Sequence, residues 1–256
     1  MFDSILLGIV QGLTEFLPVS SSAHLVFTQS LLGWNQPELL FDIMLHIATL
    51  AAVLVFFRAD ILRLFNLFDK DNRRYILLLA AATVPTGLIG FLGKDIVESA
   101  FTSVLWPAVF LLITGVLLAA AQRFGKGFKT RSQITFIDAL IIGIVQGIAV
   151  LPGISRSGST IAASMLLGIE KTEAAKFSFF LAIPAIMGAA VLGFKDFQPG
   201  SQVAISGYAA GSVFAFIFGL ISIFLVFKAL VKNKLSYFAY YCWALGLAVI
   251  IYTALH

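Results

Sequence analysis

The 256-residue sequence predicts an all-α integral membrane protein with six transmembrane helices and two re-entrant helical hairpins, arranged as an inverted-topology repeat. Three observations carry that prediction. Hydrophobic residues make up 60% of the chain and charged residues 12%, against about 25% charge in an ordinary soluble domain. Uncharged runs approach the roughly 20 apolar residues needed to cross a hydrocarbon core about 30 Å thick. The pentapeptide Gly-Ile-Val-Gln-Gly also occurs twice, at 8–12 and at 143–147.

Taken in order, residues 2–33 begin apolar but break into Pro, Gly and Ser after Phe16. Neither half is long enough to cross alone, so the segment reads as a re-entrant hairpin. Spans follow at 39–57, 75–93 and 101–121. Residues 136–168 repeat the broken pattern, and spans return at 177–194, 204–227 and 236–255. The N-terminus has Asp3 where a signal peptide carries a basic region, and no small-residue cleavage site follows. The first segment is therefore expected to belong to the mature protein.

Charge sets the orientation. Of 17 Lys and Arg, fourteen fall in or beside the loops 58–74, 122–135 and 228–235 and at Lys171 and Lys176. Lys94 and Lys195 fall on the opposite side, and Arg156 lies inside the second broken segment. The basic loops are expected in the cytoplasm, which accounts for the net charge of +4 without a nucleic-acid partner. The first hairpin then opens outward and the second inward. Residues 1–256 form one membrane domain of two inverted repeats, about 1–130 and 131–256. The lone cysteine, Cys242, excludes an intrachain disulfide.

Each pentapeptide leads to Leu-Pro and a serine-rich stretch: LPVSSSAH at 17–24 and LPGISRSGST at 151–160. A charged side chain at membrane depth costs roughly 2.5 to 3.5 kcal/mol on insertion scales, which marks Glu15 and Arg156 as functional candidates. If the repeats face each other, this pair meets. The glycines at 8, 12, 143 and 147 are expected to bring the two re-entrant helices into close contact. Pro18 ends one helix, and Ser20, Ser21 or Ser22 caps the next, leaving free amides at the positive end of the dipole for an anion. Gly153, Ser155, Arg156, Ser157 and Gly158 repeat the arrangement before a helix expected near 159–168. Two helix starts and an arginine fork suit a ligand with more than one phosphate. Ser21, Glu15 and His24 also supply the parts for nucleophilic attack on phosphorus. The plainer reading of such serines is helix capping alone. Asp42 and His46 share a helix face and read as a supporting pair.

These stretches resemble the two signature regions of the undecaprenyl-diphosphate phosphatase family, the integral-membrane bacitracin-resistance proteins. The first region is matched by Gln11, Glu15, Pro18, Ser20, Ser21 and His24. The second is matched by Pro152, Gly153, Ser155, Arg156, Ser157 and Thr160. FDIMLHIATLAAVLVFF at 41–57, TVPTGLIG at 83–90 and FSFFLAIPAIMGA at 177–189 extend the likeness over essentially the whole chain.

The resemblance implies hydrolysis of undecaprenyl diphosphate to the monophosphate and inorganic phosphate. That reaction recycles the carrier for cell-wall synthesis and confers bacitracin resistance. It implies a multi-pass protein of the bacterial plasma (inner) membrane with a site open to the outer face, and a divalent cation, Mg2+ or Ca2+. By the same resemblance Glu15, Ser21, His24 and Arg156 carry the chemistry, with Gln11, Ser155, Ser157 and Thr160 around the diphosphate; the helix-start reading adds Ser20, Ser22 and Gly153 to that cradle. Gln11 stands where many members have glutamate, so the cation is expected on Glu15 and the substrate's own phosphates. The partners implied are a polyprenyl diphosphate lipid and the bilayer, and a homodimer is compatible with the sequence.

Two mechanisms stay open: attack by Ser21, with Glu15 or His24 removing its proton, or attack by water, with Ser21 only positioning phosphate. The rival function is a transporter or flippase of a polyprenyl phosphate lipid using the same cradle, since inverted repeats with broken helices are a transporter architecture. A structural scaffold would leave Glu15 and Arg156 without a purpose.

Overall fold

The computed structural model describes residues 1–34, 39–195 and 205–255, which hold twelve α-helices and no β-strand. They are α1 (Phe2–Phe16), α2 (Ser21–Leu31), α3 (Leu39–Phe56), α4 (Arg58–Leu64), α5 (Lys70–Leu92) and α6 (Lys94–Phe101), then α7 (Leu105–Phe124), α8 (Phe136–Ile148), α9 (Arg156–Leu166), α10 (Lys171–Lys195), α11 (Ile205–Val231) and α12 (Leu235–Leu255). Five are long and apolar enough to cross a membrane: α5, α7, α10, α11 and α12. A sixth candidate is α3 joined to α4 across a bend of 75°.

The helices outrun the apolar stretches that announce them. Helix α10 starts at Lys171 rather than 177, and α11 continues to Val231 rather than 227. Hydrophobicity marks only what sits in hydrocarbon, whereas a helix continues as long as its backbone bonds are better than the alternatives. Residue 204, where the sequence starts the fifth span, lies outside the described residues. The short amphipathic α6 is an addition that hydropathy did not announce.

Helix α1 stops at Phe16 because Pro18 cannot continue it, and Leu17 before the proline is already extended (φ −61°, ψ 140°). Helix α8 starts on a reciprocal cap. The Thr135 hydroxyl accepts from the Asp138 amide at 3.1 Å, and the Asp138 carboxylate accepts from the Thr135 amide at 2.8 Å.

Packing corrects one expectation. The glycines of the duplicated motif do not bring α1 and α8 together. Instead α1 lies along α11, and α8 lies along α5. A Cβ on Gly8 would overlap the backbone of Gly211, and one on Gly143 would overlap the backbone of Ala82. A helix of 13 to 15 residues gains more van der Waals contact from a neighbour of 23 to 27 residues than from another short one. The Ser222 hydroxyl donates to the Gly12 carbonyl at 2.8 Å, and the Thr86 hydroxyl to the Gly143 carbonyl at 2.8 Å. The same device thus serves both pairs.

Beneath the two broken segments, Phe16, Phe57, Phe179 and Phe227 pack as aromatic neighbours, Phe16 edge-on to Phe179 at 5.4 Å. The basic loops knit together at one end of the bundle. Lys129 grips Asp138 at 3.0 Å, Arg131 donates to Asn72 at 2.7 Å and stacks over Tyr75, and Lys176 lies 3.7 Å from Asp60.

Candidate active site

The site forms where the two broken segments touch. In the first, Ser20 takes φ 66°, outside the ordinary region for a non-glycine residue, and its hydroxyl caps α2 by accepting from the Ala23 amide. Such a conformation costs about 1 to 3 kcal/mol and is held by its surroundings. Here the surroundings are the second segment: the Gly153 amide donates to Ser20 Oγ at 3.2 Å. Gly153 itself has φ +103° and would overlap the Pro107 carbonyl if it carried a Cβ. Its carbonyl accepts from Thr114 Oγ1 at 2.9 Å, and the Ser155 amide donates back to that hydroxyl at 2.9 Å. Ser155 then caps α9 by accepting from the Gly158 amide at 3.1 Å. That cap starts the helix at Arg156, three residues before the expected 159.

These two caps place Ser21 and Arg156 at the first position of their helices, converging on Glu15. Ser21 Oγ donates to Glu15 Oε2 at 2.6 Å, Gln11 Nε2 donates to the same oxygen at 3.0 Å, and the Arg156 guanidinium donates to Glu15 Oε1. The carboxylate is only 4% exposed and Arg156 16%. Taking two charges out of water is expensive, so a buried pair like this is poor evidence of stability and good evidence of a function. Two atoms around it are buried without a partner among the described residues: Arg156 Nη1, a donor, and Gln11 Oε1, an acceptor. The first amides of both helices, on Ser21 and Ser22 and on Arg156 and Ser157, also lack partners among the described residues.

The remaining sequence candidates sort themselves around this centre. Ser22 Oγ lies 3.1 Å from Ser20 Oγ. Ser157 Oγ lies 3.3 Å from Ser155 Oγ and donates to the Leu17 carbonyl, tying the loops together. Thr160 faces away: its hydroxyl donates to the Arg156 carbonyl and meets Ser178 Oγ at 2.6 Å, so it supports α9 against α10.

His24 is not against Ser21. Its Nδ1 lies 2.8 Å from the Ser20 carbonyl, which can only accept, so Nδ1 carries the hydrogen. Its Nε2 is then free to accept from Tyr241 O–H at 2.7 Å, and the two rings stack at 5.7 Å. His46, by contrast, places Nε2 3.7 Å from Glu15 Oε2 while its Nδ1 donates to the Asp42 carbonyl at 2.7 Å. Asp42 accepts from Gln29 at 3.0 Å. Tyr241 and Thr114 are site neighbours that the sequence did not single out, whereas His46 was already marked, with Asp42, as a supporting pair.

A resident metal cage does not fit. Among the described residues no group of three or more His, Cys, Asp or Glu is placed to hold an ion. A carboxylate offers about four acceptor positions; Arg156, Ser21 and Gln11 occupy three on Glu15. What fits is one carboxylate ligand toward a cation that takes its other ligands from phosphate and water.

The comparisons with known proteins agree with one another. The family described as "Bacitracin resistance protein BacA" matches residues 4–248. An undecaprenyl-diphosphatase of Carboxydothermus hydrogenoformans is 42% identical over 257 residues, covering 99% of this chain and 97% of the relative. One from Syntrophotalea carbinolica is 44% identical, covering 95% of each chain. One from Methanobrevibacter smithii is 41% identical, covering 100% of this chain and 99% of the relative.

Proposed function

The chain belongs to the bacitracin resistance protein BacA family and is an undecaprenyl-diphosphate phosphatase of the membrane, and we propose that it works through Ser21, Glu15 and Arg156. The observation that supports this assignment is the buried Glu15–Arg156 pair, with the Ser21 hydroxyl bonded to the same carboxylate.

The diphosphate enters the cradle between the starts of α2 and α9. The free amides there and the unpartnered Arg156 Nη1 bind its oxygens and stabilise charge as the phosphoryl group transfers. Ser21 Oγ attacks the terminal phosphorus and its proton passes to Glu15 Oε2. The bridging P–O bond breaks, and undecaprenyl phosphate leaves. The Glu15 proton passes to the departing undecaprenyl phosphate. Glu15 then takes a proton from the water that attacks the phosphoserine and hands it to Ser21 Oγ as that P–O bond breaks and inorganic phosphate is released. Glu15 serves as the base because it, and not His24, touches the hydroxyl. His24 orients the loop through the Ser20 carbonyl. Gln11 fixes the carboxylate, and Ser20, Ser22, Gly153, Ser155 and Ser157 shape the cradle. A divalent cation, Mg2+ or Ca2+, would find one carboxylate ligand in Glu15 and would supply neutralisation of phosphate charge.

The topology completes the proposal. The pairings of α1 with α11 and of α8 with α5 support two inverted repeats in one domain, with six spans and two re-entrant hairpins. The basic loops gathered at one end support a cytoplasmic placement for that end, in the inner membrane, with the first hairpin open to the periplasm. The names of the relatives describe hydrolysis, not the carriage that the flippase alternative requires.

The test is phosphate release from undecaprenyl diphosphate by protein in detergent, with Mg2+, Ca2+ or chelator. Wild type releases phosphate only with a cation, and Ser21→Ala lowers turnover by on the order of 10^4-fold or more. Substantial turnover by Ser21→Ala would replace the phosphoserine step with direct attack by water. No release from folded wild type would turn the reading to a carrier.

A further inference from the structure

The hairpin of α11 and α12 carries a second polar feature at the basic end of the bundle. No Asp or Glu occurs from 205 to the end of the chain, yet Lys228, Lys232 and Lys234 cluster at its turn. All three are exposed, and among the described residues none has an acidic partner. Lysines elsewhere at this end do pair: Lys129 with Asp138 and Lys176 with Asp60. The three amines therefore form an uncompensated positive field.

They also rim a formed groove. It is an open depression of about 460 Å3, with Leu17, Leu225, Ala229, Tyr237 and Phe238 as its other lining residues. Two amines are steadied on aromatic faces, Lys228 at 6.0 Å from the Phe224 ring and Lys234 at 5.3 Å from the Tyr237 ring. An apolar floor that opens into cations at a helix end matches an amphiphile lying along the helix: acyl chain below, negative headgroup above. Basic pockets of this kind between transmembrane helices hold anionic lipid headgroups.

We infer that the groove between α11 and α12 binds an anionic phospholipid of the leaflet at the basic end, its phosphate held by Lys228, Lys232 and Lys234 and an acyl chain laid over Leu225 and Phe238. The three lysines are no part of the phosphatase centre, although Leu17 on the groove floor belongs to the loop that carries Ser20 and Ser21. A soluble anion would gain only the lysines and leave the apolar floor unused, which is why a lipid is the occupant.

The experiment compares retention of phosphatidylglycerol and phosphatidylcholine by the full chain in detergent, read by native mass spectrometry. The variants are Lys228→Gln/Lys232→Gln/Lys234→Gln, the corresponding triple Lys→Arg, and Arg123→Gln/Lys126→Gln as a control at the same end outside the groove. Phosphate release in detergent reports that each variant is folded. The expected result is preferential phosphatidylglycerol binding by wild type, the Lys→Arg variant and the control, and a loss of roughly tenfold or more in the triple Gln variant. Equal retention of the two lipids by wild type would overturn the inference. So would undiminished phosphatidylglycerol binding in the triple Gln variant.

Discussion

The loops at 17–24 and 151–160 are two versions of one device. In each a short helix ends ahead of a Leu-Pro pair, and a serine caps the next helix by accepting the amide three residues on, Ala23 from Ser20 and Gly158 from Ser155. At the first position after the cap they diverge: one places Ser21, the other Arg156. The preceding helices diverge too. Four residues after Gln11 comes Glu15, and four after Gln146 comes the apolar Val150. Gln11 accordingly serves a carboxylate, whereas Gln146 donates weakly to Thr86 and the Leu181 carbonyl at 3.3 and 3.4 Å. On the proposed mechanism the two similar loops divide the work: one holds the reacting groups, the other the charge that receives them. Neither copy alone has both.

After loss of the Ser21 hydroxyl, removing the charge should hurt most. Arg156→Ala is expected to lower kcat/KM by on the order of 10^3-fold, through lost stabilisation of the transferring phosphoryl group. It also strands a buried carboxylate, so its melting temperature in detergent should fall. Arg156→Lys should recover only part of the activity, because an ammonium cannot serve Glu15 and phosphate as a planar fork does. The two glutamines test the division next. Gln11→Leu should lose about tenfold in phosphate release, one hydrogen bond to a charged group. Gln146→Leu should stay within about twofold, since its bonds are long and reach only neutral acceptors and no reacting group. Comparable losses in both would break the comparison.

A small effect is also expected at Tyr241→Phe. Removing its hydroxyl costs His24 one neutral hydrogen bond, so turnover should fall a few-fold and no more. A loss as large as that of Arg156→Ala would instead make His24 a direct participant.

Much of this centre could be read before the structure. The cost of charge at membrane depth singled out Glu15 and Arg156, and capping rules placed free amides at Ser21 and near Arg156. Both are local or solvation arguments, and a sequence states them directly. Partner choice is different. Gly8 and Gly143 announce that some backbone comes close, but whether it belongs to Gly211, Ala82 or the other re-entrant helix depends on total contact over long helices. His24 shows the same limit. Its three-residue spacing from Ser21 is local, but its ring is aimed by Tyr241 on the last helix. His46 approaches Glu15 through the packing of α3 beside α1, which no spacing encodes.

The central claim is that the two loops act as one catalytic unit, and a double-mutant cycle on kcat/KM addresses it most directly. Wild type, Ser21→Ala, Arg156→Ala and the double variant would be compared for phosphate release from undecaprenyl diphosphate. If the serine and arginine act on one transferring phosphoryl group, the double variant should fall within about threefold of Ser21→Ala alone, as residues acting as a unit do. Losses that multiply would show two independent contributions and contradict the shared site.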